Sequence, residues 1–288
     1  MRRSLIHNMT HMNDARLYVV ATPIGNLEDI TLRALEILGG VDVIAAEDTR
    51  RSRILMSRHG LGTPLVTLQE HNEEQKAPQL VDRLLRGDSV ALVSDAGTPL
   101  LSDPGFRLVR LAVEAGIEIV ALPGPSAITA ALSISGLPTD RFTFEGFLPS
   151  RHAARVKRLE QLQSEPRTMV FFESSHRICE SLHDISHTLG AGRGMALCRE
   201  MTKQFETVLR GSVAEVIEQV EGDNNQRKGE FVLVVSGHRA DGEETLTQAL
   251  VLARSLQAYL PASQAARVAA KIHGVPRRDL YAMLEDSD

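Results

Sequence analysis

Tryptophan is absent from the 288-residue chain, and aromatic residues make up only 4% of it, eight Phe and three Tyr. That scarcity excludes a broad aromatic platform of the kind on which unpaired nucleobases stack. Cysteine is rarer still. Cys179 and Cys198 form neither a CxxC pair nor a Cys/His array, which leaves no zinc spacing and no disulfide framework. A reduced, cytoplasmic setting follows. No apolar run approaches a membrane span, and the start, Met1-Arg2-Arg3-Ser4, lacks a leader's apolar core, so residues 1–15 read as a polar tail. Nucleotide-phosphate cradles are missing as well: no GxGxxG opens a helix and no GxxxxGK[ST] occurs. His183 and His187 stand four apart on a helical stretch without a third ligand, so no metal is expected.

What remains is ordinary globular composition, 43% hydrophobic and 24% charged, with a net charge of -5 that argues against indiscriminate coating of nucleic acid. From Leu17 to Gly136, short β-branched runs alternate with longer amphipathic ones, the signature of βαβ units and a mostly parallel sheet. Strands are expected at 17–21, 41–46, 64–68, 89–93 and 117–122, with Gly60, Gly87 and Gly116 as helix stops. In such sheets ligands bind beyond the carboxyl ends of the strands. Three segments fall there: Thr22-Pro23-Ile24-Gly25-Asn26, Ser94-Asp95-Ala96-Gly97-Thr98-Pro99 and Pro123-Gly124-Pro125-Ser126-Ala127. Each alone also reads as a plain turn or helix cap. Their convergence on one edge points to a shared ligand crevice.

After Arg141-Phe142-Thr143-Phe144-Glu145-Gly146-Phe147 the character changes to a basic helical stretch, followed by strands expected at 168–173, 195–199, 205–209 and 230–235. The closeness of 195–199 and 205–209 implies a hairpin and therefore a mixed sheet. The division is a first α/β domain over 16–136, a second over 137–240 and a helical extension over 241–288. In the extension, two short helices around His273-Gly274-Val275-Pro276 read either as a helix-turn-helix or, with more weight, as a helical cap on the second domain.

Taken in order, the three loops together with Ala45-Ala46-Glu47-Asp48-Thr49-Arg50, Phe171-Phe172-Glu173-Ser174-Ser175-His176-Arg177, Arg199-Glu200-Met201-Thr202-Lys203 and Lys228-Gly229-Glu230-Phe231 resemble the tetrapyrrole methylase superfamily. Within it the match is to the ribosomal RNA small subunit methyltransferase I family, from about Arg16 to the C-terminus. The resemblance implies two α/β domains with the cofactor cleft between them, S-adenosylmethionine as methyl donor, a homodimer, and 2'-O-methylation of one cytidine in the decoding region of 16S ribosomal RNA. Carried over by motif, Asp95, Ala96 and Gly97, with Ser94 before them and Leu100 beyond, stand where many members carry Gly-Asp-Pro. Ser126 and Ala127 match the donor-contacting pair after Pro123-Gly124, and Glu173 and Met201 match contacts from the second domain. Pro23, Gly25, Phe172 and Gly229 are their neighbours.

A ribose hydroxyl is a poor nucleophile while protonated, so a base or a cation beside the developing alkoxide is expected. Glu47, Asp48 and Lys203 are the candidates, although Asp48 also reads as a helix cap and Lys203 as half of a surface ion pair. Three basic blocks suit phosphate contacts: Arg50, Arg51, Arg53 and Arg58; Arg151, Arg155, Lys157 and Arg158; and Arg267, Lys271, Arg277 and Arg278. His71 is a further loop candidate. With so few aromatics, recognition by shape and backbone is expected rather than base stacking.

Overall fold

The computed structural model describes residues 15–238 and 242–285, so the polar tail expected over residues 1–15 lies outside the described residues except at Ala15. Two compact units result, one ending at Ser236 and the other beginning at Gly237.

The first unit opens with an alternating run: β1 (Arg16–Val20), α1 (Leu32–Gly40), β2 (Val43–Ala46), α2 (Thr49–Arg58), β3 (Leu65–Thr67), α3 (Glu73–Leu85), β4 (Val90–Val93), α4 (Phe106–Glu114), β5 (Glu118–Leu122) and α5 (Ala127–Ser135). The five strands form one parallel sheet in the order β3-β2-β4-β1-β5. Both faces are covered, which is why β2 and β4 are apolar at every position. Val43 and Ala45 pack with Leu80 and Leu84 of α3 and Leu108 of α4. Ile44 and Ala46 point the other way, to Leu38 of α1 and Leu55 of α2. All five strands lie where expected, each within two residues at either end.

The second sheet is mixed, in the order β6-β7-β10-β8-β9, from β6 (Phe142–Phe147), β7 (Thr168–Ser174), β8 (Gly194–Arg199), β9 (Thr207–Ser212) and β10 (Glu230–Val235). The expected hairpin is β8–β9, paired antiparallel. β9 starts two residues later than expected because the Arg199 guanidinium binds the carbonyls of Phe205 (2.9 Å) and Lys228 (2.6 Å), which holds residues 200–206 in a loop. β6 was not expected: its pairing with β7 shifts register between Phe144 and Gly146, and that bulge breaks the alternation a strand would show. On one face the sheet carries α6 (His152–Gln161), α7 (Ile178–Leu189) and α8 (Val213–Gly222). On the other lies α5, whose Ile128, Ala131 and Leu132 pack on Val170, Ala196 and Val232. The last helix of the first expected domain is thus the floor of the second sheet, and the two halves close into one unit.

Arg155 is a correction. Expected on an RNA-facing surface, it is 1% exposed and joins α6 to α7, with Nε 2.6 Å from Asp184 Oδ2, a further contact to Glu180 and bonds to the Ser150 and Pro149 carbonyls. A guanidinium so buried persists because carboxylates and carbonyls satisfy its fixed donor fork.

The second unit consists of α9 (Gly242–Gln257), α10 (Ala262–His273) and α11 (Arg277–Glu285). Ala249, Ala253, Ala266, Ala269, Ala270, Leu280 and Leu284 make its core. Gly274 ends α10 in the left-handed region, φ 68°, and Pro276 precedes α11, the geometry of a helix-turn-helix. The three helices bury a core of their own.

Arg155→Ala should lower stability by about 3 kcal/mol, because Asp184 would be left buried with the exposed His152, 3.1 Å away, as its remaining partner. Arg151→Ala and Lys157→Ala, at exposed positions of the same basic block, should stay within about 0.5 kcal/mol. Urea midpoints of the three variants check this.

Candidate functional site

Because all strands of the first sheet run one way, the loops after β4, β1 and β5 emerge side by side on one edge. They are stitched together there. Thr22 and Gly97 exchange two backbone hydrogen bonds of 2.9 Å, Thr22 Oγ1 donates to the Ser94 carbonyl, and Thr98 Oγ1 donates to the Pro125 carbonyl. Gly97 adopts φ 80°, a conformation that costs glycine nothing. Gly124 permits the β5 loop to cross the end of β1, since a Cβ there would meet Ala21 Cβ at 3.0 Å.

The facing wall comes from the second sheet. Lys203 Nζ bridges Glu200 Oε1 and Glu230 Oε2, each at 2.9 Å, and Glu200 also accepts from the Glu230 amide. Holding this trio requires backbone strain, φ 50° at Glu200 and φ 64° at Thr202. It also requires Gly229, where a Cβ would fall 2.5 Å from Glu200 Cγ. The same loop presses against the first half. A Cβ on Gly25 would lie 2.5 Å from Lys203 Cγ, and the Asn26 amide donates to Thr202 Oγ1.

Between these walls lies a cavity of about 530 Å³, a size typical of small-molecule sites. Of the residues expected to hold a cofactor, Asp95, Ala96, Gly97, Ser126, Ala127, Phe172, Glu173, Met201 and Gly229 line it. Gly25, Pro123 and Gly124 shape the loops instead. Pro23 and Ser94 border a separate void of about 60 Å³ under α2. Leu100 is a correction: at φ 74° its side chain turns into the core of the first sheet, and Leu101 takes the position on the cavity.

Among the candidate catalytic groups, Glu47 and Lys203 line the cavity and Asp48 does not. Asp48 caps α2, accepting from the Arg50 amide at 2.8 Å, and hydrogen bonds from Arg50 hold its carboxyl below the ordinary range. The base role expected for Asp48 therefore does not fit. Lys203 is also no base. Burial alone would lower its pKa, but hydrogen bonds to Glu230 and Glu200 outweigh this and raise it, which keeps the ammonium charged. Glu47 differs: burial, then the neighbouring Asp95, raises its pKa.

Sequence reasoning missed Asp103, Leu101, Ser102, Ser174, Ser175 and Phe147 on this cavity. Burial and then Glu47 push the Asp103 carboxyl up to about 6. The available signal was length, because twelve residues without regular structure between β4 and α4 are uncommon outside functional loops. Of the expected RNA contacts, Arg51 lines the cavity and pairs with Asp95, 3.4 Å away, while Arg50 pairs with Asp48 and Arg158 with Glu145. Arg53, His71, Arg151 and Lys157 are exposed on the first unit, and Arg277 and Arg278 on the second. Among the described residues no cluster of His, Cys, Asp and Glu is arranged to hold a metal, and His183 pairs with Glu221. None of the described helices is long and apolar enough to cross a membrane.

Two facing α/β halves with a cavity between strand-end loops place the chain in a known class. Residues 16–217 match the Tetrapyrrole (Corrin/Porphyrin) Methylases, and the chain belongs to that family. Similar solved structures share the fold: diphthine synthase (TM-score 0.59, 16% identity, 77% of this chain and 90% of that one) and a cobalt precorrin-4 methyltransferase of cobalamin biosynthesis (0.57, 17%, 80% and 98%). Closer relatives narrow the assignment. The chain is 50% identical over 275 residues, 96% of each protein, to the Ribosomal RNA small subunit methyltransferase I of Escherichia coli O157:H7. It is 52% identical to the protein of that name from Xylella fastidiosa (strain Temecula1), over 92% of this chain and 97% of the relative. Residues 242–286 match the RsmI C-terminal HTH domain. The chain is thus a methyltransferase of the ribosomal RNA small subunit methyltransferase I family.

A carboxyl raised from 3.8 to about 6 by folding contributes stability that is complete below pH 3.8 and lost as pH rises through about 6. Asp103→Asn should therefore gain on the wild type between pH 4 and about 6 and hold that gain to pH 8. Urea midpoints at pH 4, 6 and 8 without ligand measure this, and a pH-independent difference would contradict it.

Proposed function

We propose that the chain transfers a methyl group from S-adenosylmethionine to the ribose 2'-hydroxyl of a cytidine in 16S ribosomal RNA, cytidine-1402. The observation that carries the reading is the cavity of about 530 Å³ between strand-end loops and second sheet, in a chain half identical over nearly its whole length to proteins named for small subunit rRNA methylation. Its lining fits the donor's chemistry. Glu47, Asp95 and Asp103 give a wall of carboxyls, suited to a molecule carrying sulfonium and ammonium charges, whereas the Glu173 carboxyl is turned to Arg177 and Ser181. Ile24, Ile128, Phe172 and Met201 offer apolar surface to its adenine. Gly97 leaves a cradle that a side chain would fill, and the first amides of α5 carry no side-chain cap.

When bound, the donor supplies an electrophilic methyl group on sulfur. The residues of the chain have to orient the acceptor oxygen, keep water away and manage one proton. Glu47 is the group for the proton: its raised pKa makes its carboxylate oxygen a stronger base than a surface carboxylate. Lys203 gives two of its three ammonium donors to Glu200 and Glu230 and has a third to offer the acceptor oxygen on the same cavity. Arg53, His71, Arg151, Lys157, Arg277 and Arg278 are the phosphate contacts of this reading, which implies marked salt dependence of substrate binding. Action as a cytoplasmic homodimer belongs to the same proposal.

With small ribosomal subunits lacking the modification and methyl-labelled donor, the wild type should place label on one ribose of 16S RNA, as mapped by nuclease protection. Glu47→Gln should lower kcat by roughly 10²- to 10⁴-fold with donor affinity little changed. Absence of label from the RNA would overturn the reading. A fully active Glu47→Gln enzyme would remove the base.

A further inference from the structure

The feature left unexplained by donor binding is the bulge in β6. Strand alternation would set Phe144 and Phe147, three residues apart, on opposite faces of the sheet. The register shift between Phe144 and Gly146, with Gly146 at φ 67°, inserts one extra residue and turns both rings to the same side. Both meet Phe172 edge-on, with centroids 4.9 and 5.6 Å away and interplanar angles of 64° and 65°. Phe144 and Phe172 are part-buried in the core between α5 and the second sheet. Phe147 remains 53% exposed and lines the cavity with Leu101, which is 40% exposed. The two segments adjoin, since a Cβ on Gly146 would sit 3.3 Å from Ser102 Oγ. A bulge that re-aims an aromatic ring into a ligand site is a built feature, and exposed apolar surface at a cavity mouth marks a place that something covers.

We infer that Phe147 is the stacking platform for the nucleobase of the acceptor nucleotide. The inference rests on the proposed transfer to a ribose of RNA. A ribose hydroxyl reaches a donor inside this cavity only if its nucleotide leaves the RNA stack, and the base must then find a new partner. Phe147 offers an aromatic ring at the mouth, flanked by Leu101. It suits the donor less well, because small ligands are enclosed over most of their surface, and the deeper Phe172, Ile128 and Met201 supply such walls. Arg151 follows four residues along the chain and is exposed, within reach of an adjoining phosphate. Base stacking thus enters recognition through a single ring, against the expectation from composition.

The test uses the full-length enzyme, undermodified small subunits and S-adenosylmethionine. Phe147→Ala and Phe147→Leu should raise KM for the subunit roughly 5- to 150-fold, the range of one lost aromatic–base stack. Donor Kd by calorimetry should move less than about twofold, and Phe147→Trp should keep the wild-type KM within about threefold. Leu keeps an apolar side chain without the π-face, so it serves if Ala unfolds the edge strand, with urea midpoints as the check. Unchanged KM in both variants would overturn the inference, as would an equal loss of donor affinity, which would make Phe147 a donor wall. If the wild type labels ribosomal RNA, those results leave the proposed function standing. If it labels none, both fall.

Discussion

The site depends on one constraint, the common direction of five strands whose order places β1 between β4 and β5. A parallel sheet delivers every strand's carboxyl end to one edge, and this order makes neighbours of three loops far apart in sequence. The reciprocal hydrogen bonds of Thr22 and Gly97 then fix the loop after β4 on the end of β1. Everything else at the cavity is adjustment around that seam: the crossing at Gly124, the approach at Gly25 and the strained turn that carries Lys203.

The cavity wall is acidic, with Glu47, Asp95 and Asp103 upon it. Such a lining suits a cationic small molecule. Lys203 needs two carboxylates beside it, since a lone ammonium at that depth would tend to lose its proton. Arg51 also lines the cavity and pairs with Asp95 on the same wall.

Most of the scaffold was legible in the sequence because the central strands β2 and β4 are buried and apolar throughout and their short runs stand apart from the longer amphipathic stretches between strands. β6 was not, and for a definite reason: a one-residue bulge removes the periodicity by which strands are read. The loops were located correctly, but the atoms within them were not always. Leu100 and Leu101 exchange roles through a positive φ that no pattern announces, and Asp103 reaches the cavity only because a long loop folds back. Arg155 shows the limit of counting charge. It sits in a basic run like its neighbours, and only the distant Asp184 and Glu180 disclose that it is internal.

Among the described residues, the buried core of the C-terminal unit holds five alanines and two leucines, with Leu246, Leu250, Leu252 and Val275 part-buried against it. Alanine lets helices approach closely but withdraws little apolar surface from water, so each helix gains less than a leucine-rich packing would provide. Stability is therefore shared unequally along the chain. Alanine packing makes the three-helix unit gain less from burial, residue for residue, than the sheets with their leucine, valine and isoleucine cores.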